Sequence, residues 1–548
     1  MNAVRAWMLA FLLLMPAMGC GLFQPSSLPY AGICRPYLPP RLPPPPPAPD
    51  RLPEPPTEPG TTTAVKKDEP AEPPTLPPPA PNGPLFLQEV LASVQANFPL
   101  LLAIEQERAI ASGQRLSAEG AFDLNFRMRG WSQDGTFESN RLDLLLEQPT
   151  PYYGTSLLGG YRFGFGEFPV YYGDRLTADG GEFRAGVQVP LLRDGAIDRR
   201  RALLRQAQIA EDLANPVIAR ARIDYLRNSA RAYWNWVAAG EQYLVAESLL
   251  QLARDRQAGL EEQFRLGQVA EFVVIDNRRL IFEREGALLA ADRRVQQAAF
   301  ELSLFLRDAE GNPIVPPSSR LPRNLLVDEP PKPETELLQQ DIETAYRLRP
   351  ELARFQLLKE RVTVDLRLAE NQTFPALNAQ VFGSQDVGYG KKATGIFALD
   401  RSVLEGSVVL EVPLQRREAQ GRVRAAQAAL LQLLAQERFA RDQIRAEVQD
   451  VVSALDRTYE RLQRAKQEQQ VARRVADLEL ERFRKGQSTL LEVNLRELAA
   501  AGAQAKVIDA LAEYARAIAD HRAALGLDAA GPGADGLPGG QHDGQPCP

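Results

Sequence analysis

Apolar positions in this chain follow two rhythms, and each predicts a different element. From Leu414 to Gly531 no proline interrupts, and Gly421, Gly486, Gly502 and Gly526 are the only glycines in between. A proline-free stretch rich in leucine, alanine, glutamate and arginine suits helix. The pattern predicts one helix over about 419–485 and a second over about 488–525, with Gly486 at the turn between them. At about 1.5 Å per residue the first is on the order of 100 Å long, several times the width of a small domain. A similar pair lies upstream, over about 195–265 and about 269–307, with Gly267 at its turn. Pro216 is expected to kink or interrupt the earlier helix near its start.

The second rhythm is strict alternation. Phe122, Leu124, Phe126 and Met128 alternate with Asp123, Asn125, Arg127 and Arg129. Phe183, Ala185, Val187 and Val189 do the same with Glu182, Arg184, Gly186 and Gln188. Leu142, Leu144 and Leu146, then Tyr161, Phe163 and Phe165, then Leu377, Ala379 and Val381 repeat the theme. Such segments have one apolar and one polar face. They fit either a soluble antiparallel sheet with a half-buried face or transmembrane strands of about 9–11 residues. Helices too long for a soluble core, an export signal and the lack of a spanning helix favour the membrane. One chain has too few strands to close a wide barrel, and an open edge cannot face lipid, so several copies would share one.

The plan runs twice. FRLGQ at Phe264 to Gln268 matches FRKGQ at Phe483 to Gln487. VQVPLL ending at Leu192 and LEVPLQ ending at Gln415 each lead into an arginine-rich helix start. Asn97-Phe98-Pro99-Leu100 and Leu348-Arg349-Pro350-Glu351 each open a helix that runs to a strand. Each half therefore reads helix, strands, long helix, tight turn, helix: a first repeat over 85–310, a linker over 311–339 and a second repeat over 340–528.

Composition removes most other functions. The 548 residues hold 64 basic and 70 acidic side chains, a net charge of −6 that provides no basic field for nucleic acid. Two histidines and three cysteines cannot build a zinc cage or a disulfide framework, so no metal is expected. There is no HExxH, GxxxxGK[ST] or GxSxG, and His521 and His542 lie near or in the tail, so neither an enzyme nor a cofactor is expected. About half of the 44 prolines fall between Pro25 and Pro84, including the run Pro43 to Pro47, which makes 20–84 an extended spacer. The tail over 529–548 lacks apolar periodicity and is expected to be disordered.

At the N-terminus Arg5 precedes an apolar run from Ala6 to Met15, the form of a secretory signal over 1–19. Ala17-Met18-Gly19-Cys20 resembles the lipobox of bacterial lipoproteins, which would make Cys20 the lipidated first residue. Ordinary cleavage that leaves Cys20 unmodified is the alternative. Gly21 after Cys20, in place of an aspartate, is similar to the enterobacterial pattern for outer-membrane sorting.

VPLQRREAQGRVRAAQAAL at 412–430 and ERFRKGQSTLLEVNLRE at 481–497, with the doubled plan, resemble the TolC-like outer-membrane efflux protein family. The likeness spans about 85–528. It implies an α+β, mainly α fold, in which long antiparallel coiled-coil helices form a periplasmic α-barrel joined to an outer-membrane β-barrel shared by a homotrimer. The implied function is the exit duct of a tripartite efflux pump or a type I secretion system, passive and opened at its periplasmic aperture by an adaptor. The implied partners are a periplasmic membrane-fusion adaptor and an inner-membrane transporter. One departure stands out: two strands per repeat leave no room for Thr150 to Gly181, with Tyr152, Tyr153, Tyr171 and Tyr172. An extra hairpin or extended loop is expected there, its tyrosines either an interfacial girdle or surface-loop aromatics.

In resembling proteins the two helix turns form the periplasmic tip where the adaptor docks. That assigns Arg265, Leu266, Gly267, Arg484, Lys485 and Gly486 to a docking surface; solvated charges around a helix stop are the other reading. The family's aperture carries acids six and nine positions after the second-repeat glycine. Here Glu492 keeps the acid at plus six and Leu495 stands at plus nine, while Asp276 lies nine after Gly267. Three copies of such carboxylates around one axis would form a negative constriction, whereas pairing with Arg496 or Arg278 would make them structural. The competing function is a lipid-anchored periplasmic coiled-coil scaffold that does not conduct.

Overall fold

The computed structural model describes residues 83–168, 176–322, 332–333, 337–389 and 402–529. The signal segment, Cys20, nearly all of the proline-rich spacer, Tyr171, Tyr172 and the tail from 530 lie outside the described residues.

The helices come in two matching sets. α1 (Leu87–Asn97) and α2 (Pro99–Glu119) correspond to α5 (Leu338–Leu348) and α6 (Pro350–Asn371). In both pairs a proline at the first position of the second helix forces the preceding residue, Phe98 or Arg349, out of helical conformation. α3 (Arg199–Arg265) and α4 (Glu271–Ser303) correspond to α7 (Arg417–Arg484) and α8 (Leu490–Leu525). α3 and α7 hold 67 and 68 residues, each about 100 Å of helix. α3 starts at Arg199 rather than near 195 because the Asp198 side chain caps it, accepting from Arg201 N at 2.8 Å. α4 stops at Ser303, four residues earlier than expected, where the chain turns through Leu304 and Phe305. Pro216 does not interrupt α3: it is buried inside one unbroken helix.

Each long helix packs along its successor, α3 on α4 and α7 on α8, and α3 also packs against α2, α6 and α8, so both repeats share one bundle. The seam of α7 is Val448, Leu455 and Leu462, all buried at seven-residue steps. Ala503, Ala510, Ala517 and Ala524 on α8 are buried at the same step, with Val507 and Tyr514 beside them. A 3.5-residue period with small side chains on one row lets two helices stay in close contact over many turns. The largest cluster gathers Leu85, Val90, Tyr233, Trp236, Val295 and Leu302. No single described helix is long and apolar enough to cross a membrane, although the bent pair α1–α2 passes on length and composition together. Val90, Val94 and Leu101 of that pair are buried against the bundle.

Six strands form one antiparallel meander in chain order: β1 (Asn125–Gln133), β2 (Ser139–Pro149), β3 (Ser156–Gly166), β4 (Glu182–Pro190), β5 (Ala376–Asp386) and β6 (Val403–Glu411). The β4–β5 pairing joins the two repeats, with Val187 opposite Val381 and Gln188 opposite Gln380. β1 begins three residues later than the alternation suggested, because Gly120–Phe122 closes a 3₁₀ turn at the end of α2 and Leu124 lies just outside the strand. The stretch from Thr150 to Gly181 contains β3, which pairs with β2 over its whole length, so among the described residues the first repeat carries four strands and the second two.

Candidate functional site

Two regions carry the functional question: the turns that end the long helices, and the sheet at the other end of the connected elements.

Both turns close in the same way. Gly267 N donates to Phe264 O at 2.9 Å and Gln268 N to Gln263 O at 2.8 Å; Gly486 N donates to Phe483 O and Gln487 N to Arg482 O, both at 2.9 Å. This double pattern is the Schellman closure, which needs a left-handed residue after the cap. Gly267 and Gly486 supply it at φ of 75° and 71°. A Cβ at either would meet nothing within 4 Å, so backbone conformation alone demands glycine. The turns lie side by side: Leu260 and Val274 of the first hairpin are buried with Leu490 of the second, against Val269, Val273 and Phe483. Arg265, Leu266, Arg484 and Lys485 are exposed around them, and the Arg265 guanidinium pairs with Glu262 at 2.6 Å.

Glu492 is committed locally. Its Oε2 accepts from Thr489 N at 3.1 Å, while Thr489 Oγ1 accepts from Glu492 N at 3.3 Å, a reciprocal capping box at the start of α8. The Ser488 hydroxyl lies 2.8 Å from the same carboxylate and also against buried Glu479. The bond from Ser488, then that from the Thr489 backbone, holds the Glu492 carboxyl below its ordinary value. Asp276 is half-buried and pairs with Arg279 at 3.1 Å; Arg278 pairs with Glu261 at 3.4 Å instead.

Sequence reasoning missed a polar cluster behind the turns. Arg256 of α3 and Arg284 of α4 converge on Glu497 of α8, Arg256 in a close ion pair and Arg284 at 3.5 Å. All three side chains are largely buried. Arg256 also donates to Asn494 Oδ1 at 2.7 Å, and Asn277 Nδ2 donates to Gln257 Oε1 at 2.8 Å. Burial pushes the Arg284 guanidinium down from its ordinary value. The signal was present: Asn277, Arg284, Ala291 and Ala298 stand at seven-residue steps, all buried, so the first two are polar residues in a core register.

The register sorts the sheet's side chains onto two faces, because residues directly opposite in an antiparallel pair point the same way. Phe126, Leu146, Gly159, Ala185, Gly383 and Leu404 form one cross-strand row; Met128, Leu144, Tyr161, Phe183 and Gln385 form another. Val187, Val381 and Gly406 continue the same face. That face is almost wholly apolar and open: Phe126 is 65% exposed, Phe183 56% and Leu404 78%. A hollow of about 840 Å³ runs across it, lined by Phe126, Leu144, Tyr161, Phe183 and Leu404. The opposite face carries Arg127, Asp143, Arg162, Glu182, Arg184 and Glu405, linked by pairs such as Arg162–Asp143 at 2.9 Å and Arg184–Glu405 at 3.5 Å. Among the described residues no group of acidic, histidine or cysteine side chains could hold a metal ion.

An antiparallel sheet with one apolar face, continued by two joined pairs of very long helices, is the protomer fold of the TolC-like outer-membrane channels. No protein-family model and no curated protein matches the chain. Among solved structures, the CmeC outer-membrane channel of Campylobacter jejuni superposes with a TM-score of 0.55 at 14% identity, over 80% of this chain and 85% of that one. The open state of the MtrE outer-membrane channel of Neisseria gonorrhoeae gives 0.55 at 15%, over 80% and 88%. The outer-membrane protein VceC of Vibrio cholerae gives 0.54 at 16%, over 80% and 96%.

Proposed function

We propose that this chain is one subunit of a homotrimeric outer-membrane channel, the exit duct of a tripartite efflux pump or type I secretion system. The sheet sits in the membrane, the helical hairpins extend into the periplasm, and Cys20 carries the lipid that tethers the proline-rich spacer. The observation that carries this reading is the almost wholly apolar face across six strands, exposed in one chain and continuous with helices about 100 Å long. In water such a face demands a cover; in a bilayer lipid supplies it, and the charged face then lines a wet lumen.

Transport through such a duct is passive, since a tube needs geometry rather than a reactive group. The paired turns at Gly267 and Gly486 form the periplasmic end, where Arg265, Leu266, Arg484 and Lys485 meet the hairpin of a membrane-fusion adaptor whose own partner is an inner-membrane transporter. Asp276 and Glu492 are the aperture acids. Glu492 serves its helix cap at the same time, so neutralising it alters both the charge at the aperture and the closure of the turn.

The test is reconstitution into a planar bilayer after a three-chain species is demonstrated in mild detergent. Stepwise, cation-preferring conductance is expected, with the preference reduced in Glu492→Gln and Asp276→Asn. A membrane protein that inserts as a trimer yet passes no current sinks the channel reading; current indifferent to both substitutions removes the aperture assignment.

A further inference from the structure

The sheet has two strands that do not continue into helices. β1 follows α2, β4 leads to α3, β5 follows α6 and β6 leads to α7, whereas β2 and β3 are joined to each other by a short turn over 150–155. That turn is built into the molecule. Thr150 N donates to Thr155 O at 2.8 Å, and Tyr153 and Gly154 adopt left-handed φ of 53° and 65°. A Cβ on Gly154 would lie 2.6 Å from Asp194 O, and one on Gly195 would lie 2.9 Å from the Tyr153 ring. The turn therefore rests against the β4–α3 junction. β2 pairs along its full length with β3, and both belong to one continuous sheet. The pair is part of the sheet.

β1 and β6 are the sheet's two edges. Each has nine residues, and they run in opposite directions, β1 away from the helices and β6 towards them. An exposed edge of this length is a template for another strand. Both edges present the same apolar face, through Phe126 and Met128 on β1 and Leu404, Val408 and Leu410 on β6, every one more than half exposed. On the polar face β1 carries Arg127 and Arg129, and β6 carries Glu405 and Glu411. Asn125 and Glu411 mark the helix-proximal ends, so in an antiparallel seam Arg127 falls opposite Glu411 or one diagonal step from it.

We infer that three copies of this chain close an eighteen-stranded barrel, six strands from each, with β6 of one copy paired to β1 of the next. The inference rests on the trimeric channel reading above and adds the size and seam of the wall. An even number of strands per copy keeps every seam antiparallel. Barrel diameter grows roughly in proportion to strand number, so the wall is about half again as wide as one built only from the four helix-linked strands of each copy. The β2–β3 pair widens the membrane section without adding a helix to the tube below it, and the duct flares where it enters the membrane.

The experiment is electron microscopy of the detergent-purified trimer, with strands counted around the barrel, together with cysteine pairs Arg127→Cys/Glu411→Cys and Arg129→Cys/Glu405→Cys in a chain whose Cys34 and Cys547 are serine. Eighteen strands are expected, with a short bifunctional maleimide linking chains into two- and three-chain bands through at least one pair. An intact membrane trimer with twelve strands in the wall and β2–β3 outside it overturns this inference and leaves the channel reading standing, as does failure of both pairs to link chains. Absence of any trimer in the membrane overturns both.

Discussion

At the scale of single residues, the turn between α7 and α8 holds one side chain that caps a helix and that we propose also serves the aperture. Glu492 lies six residues after Gly486, a spacing that marked it as an aperture acid, and the same carboxylate closes the capping box with Thr489. Ser488 and the Thr489 amide favour the charged form, so the folded-state value is depressed. A depressed carboxylate stabilises the folded turn above its ordinary value near 4.5, and that contribution disappears as pH falls through the lower, folded value. Amide protection at Val493 and its neighbours, taken relative to the intrinsic exchange rate at each pH, is therefore expected to be flat above about pH 5 and to fall in acid, with Glu492→Gln already partly lowered at neutral pH. Protection that does not fall in acid in the unmodified protein would refute the cap's role. Glu497 is a second case: a charge in the helical seam survives because Arg256 and Arg284 both reach it.

At the scale of elements, long helices exist here because each lies along a partner, since an isolated helix gains little from propensity alone. The alanine row on α8 sets how close α7 can come. Ala510 is buried at 1% exposure within the Leu462–Tyr514 cluster, with no room for a larger side chain. Ala510→Leu is expected to cost about 1–3 kcal/mol by forcing the helices apart, read as a lower melting temperature of the solubilised protein, whereas a leucine at exposed Ala499 should leave it unchanged. The duplicated plan was legible because the turn sequences FRLGQ and FRKGQ repeat where two matching helices end. Pro216 leaves α3 uninterrupted because packing on both sides of the helix outweighs one lost hydrogen bond, a penalty of about 3 kcal/mol.

At the scale of the whole molecule, the sheet divides the protein's surroundings in two. Val381 and Gln380 are neighbours on β5 that point to opposite faces, Val381 with Val187 and Gly406 on the apolar side, Gln380 with Gln188 and Ser407 on the polar side. In the proposed barrel Val381→Arg puts a charge against lipid, worth about 2–4 kcal/mol near the bilayer centre, while Gln380→Arg enters the lumen. The first is expected to lower the yield of assembled trimer in outer-membrane fractions severely and the second to leave it near the unmodified level. Equal tolerance of both would mean that the apolar face does not meet lipid.

What the sequence determined by itself is local and periodic. Alternation marked the strand faces, and Tyr161, Phe163 and Phe165 do lie on the side that carries Leu142 and Leu144. Proline-poor runs marked the long helices, and glycines marked their turns, because helix period, strand period and left-handed backbone are properties of a few consecutive residues. Only the tertiary structure decided which strands neighbour one another, that Thr150 to Gly181 adds a strand to the sheet, and that Arg256, Arg284 and Glu497 meet. Those facts depend on residues up to 241 positions apart along the chain, and no short-range pattern encodes a distance closed only by packing.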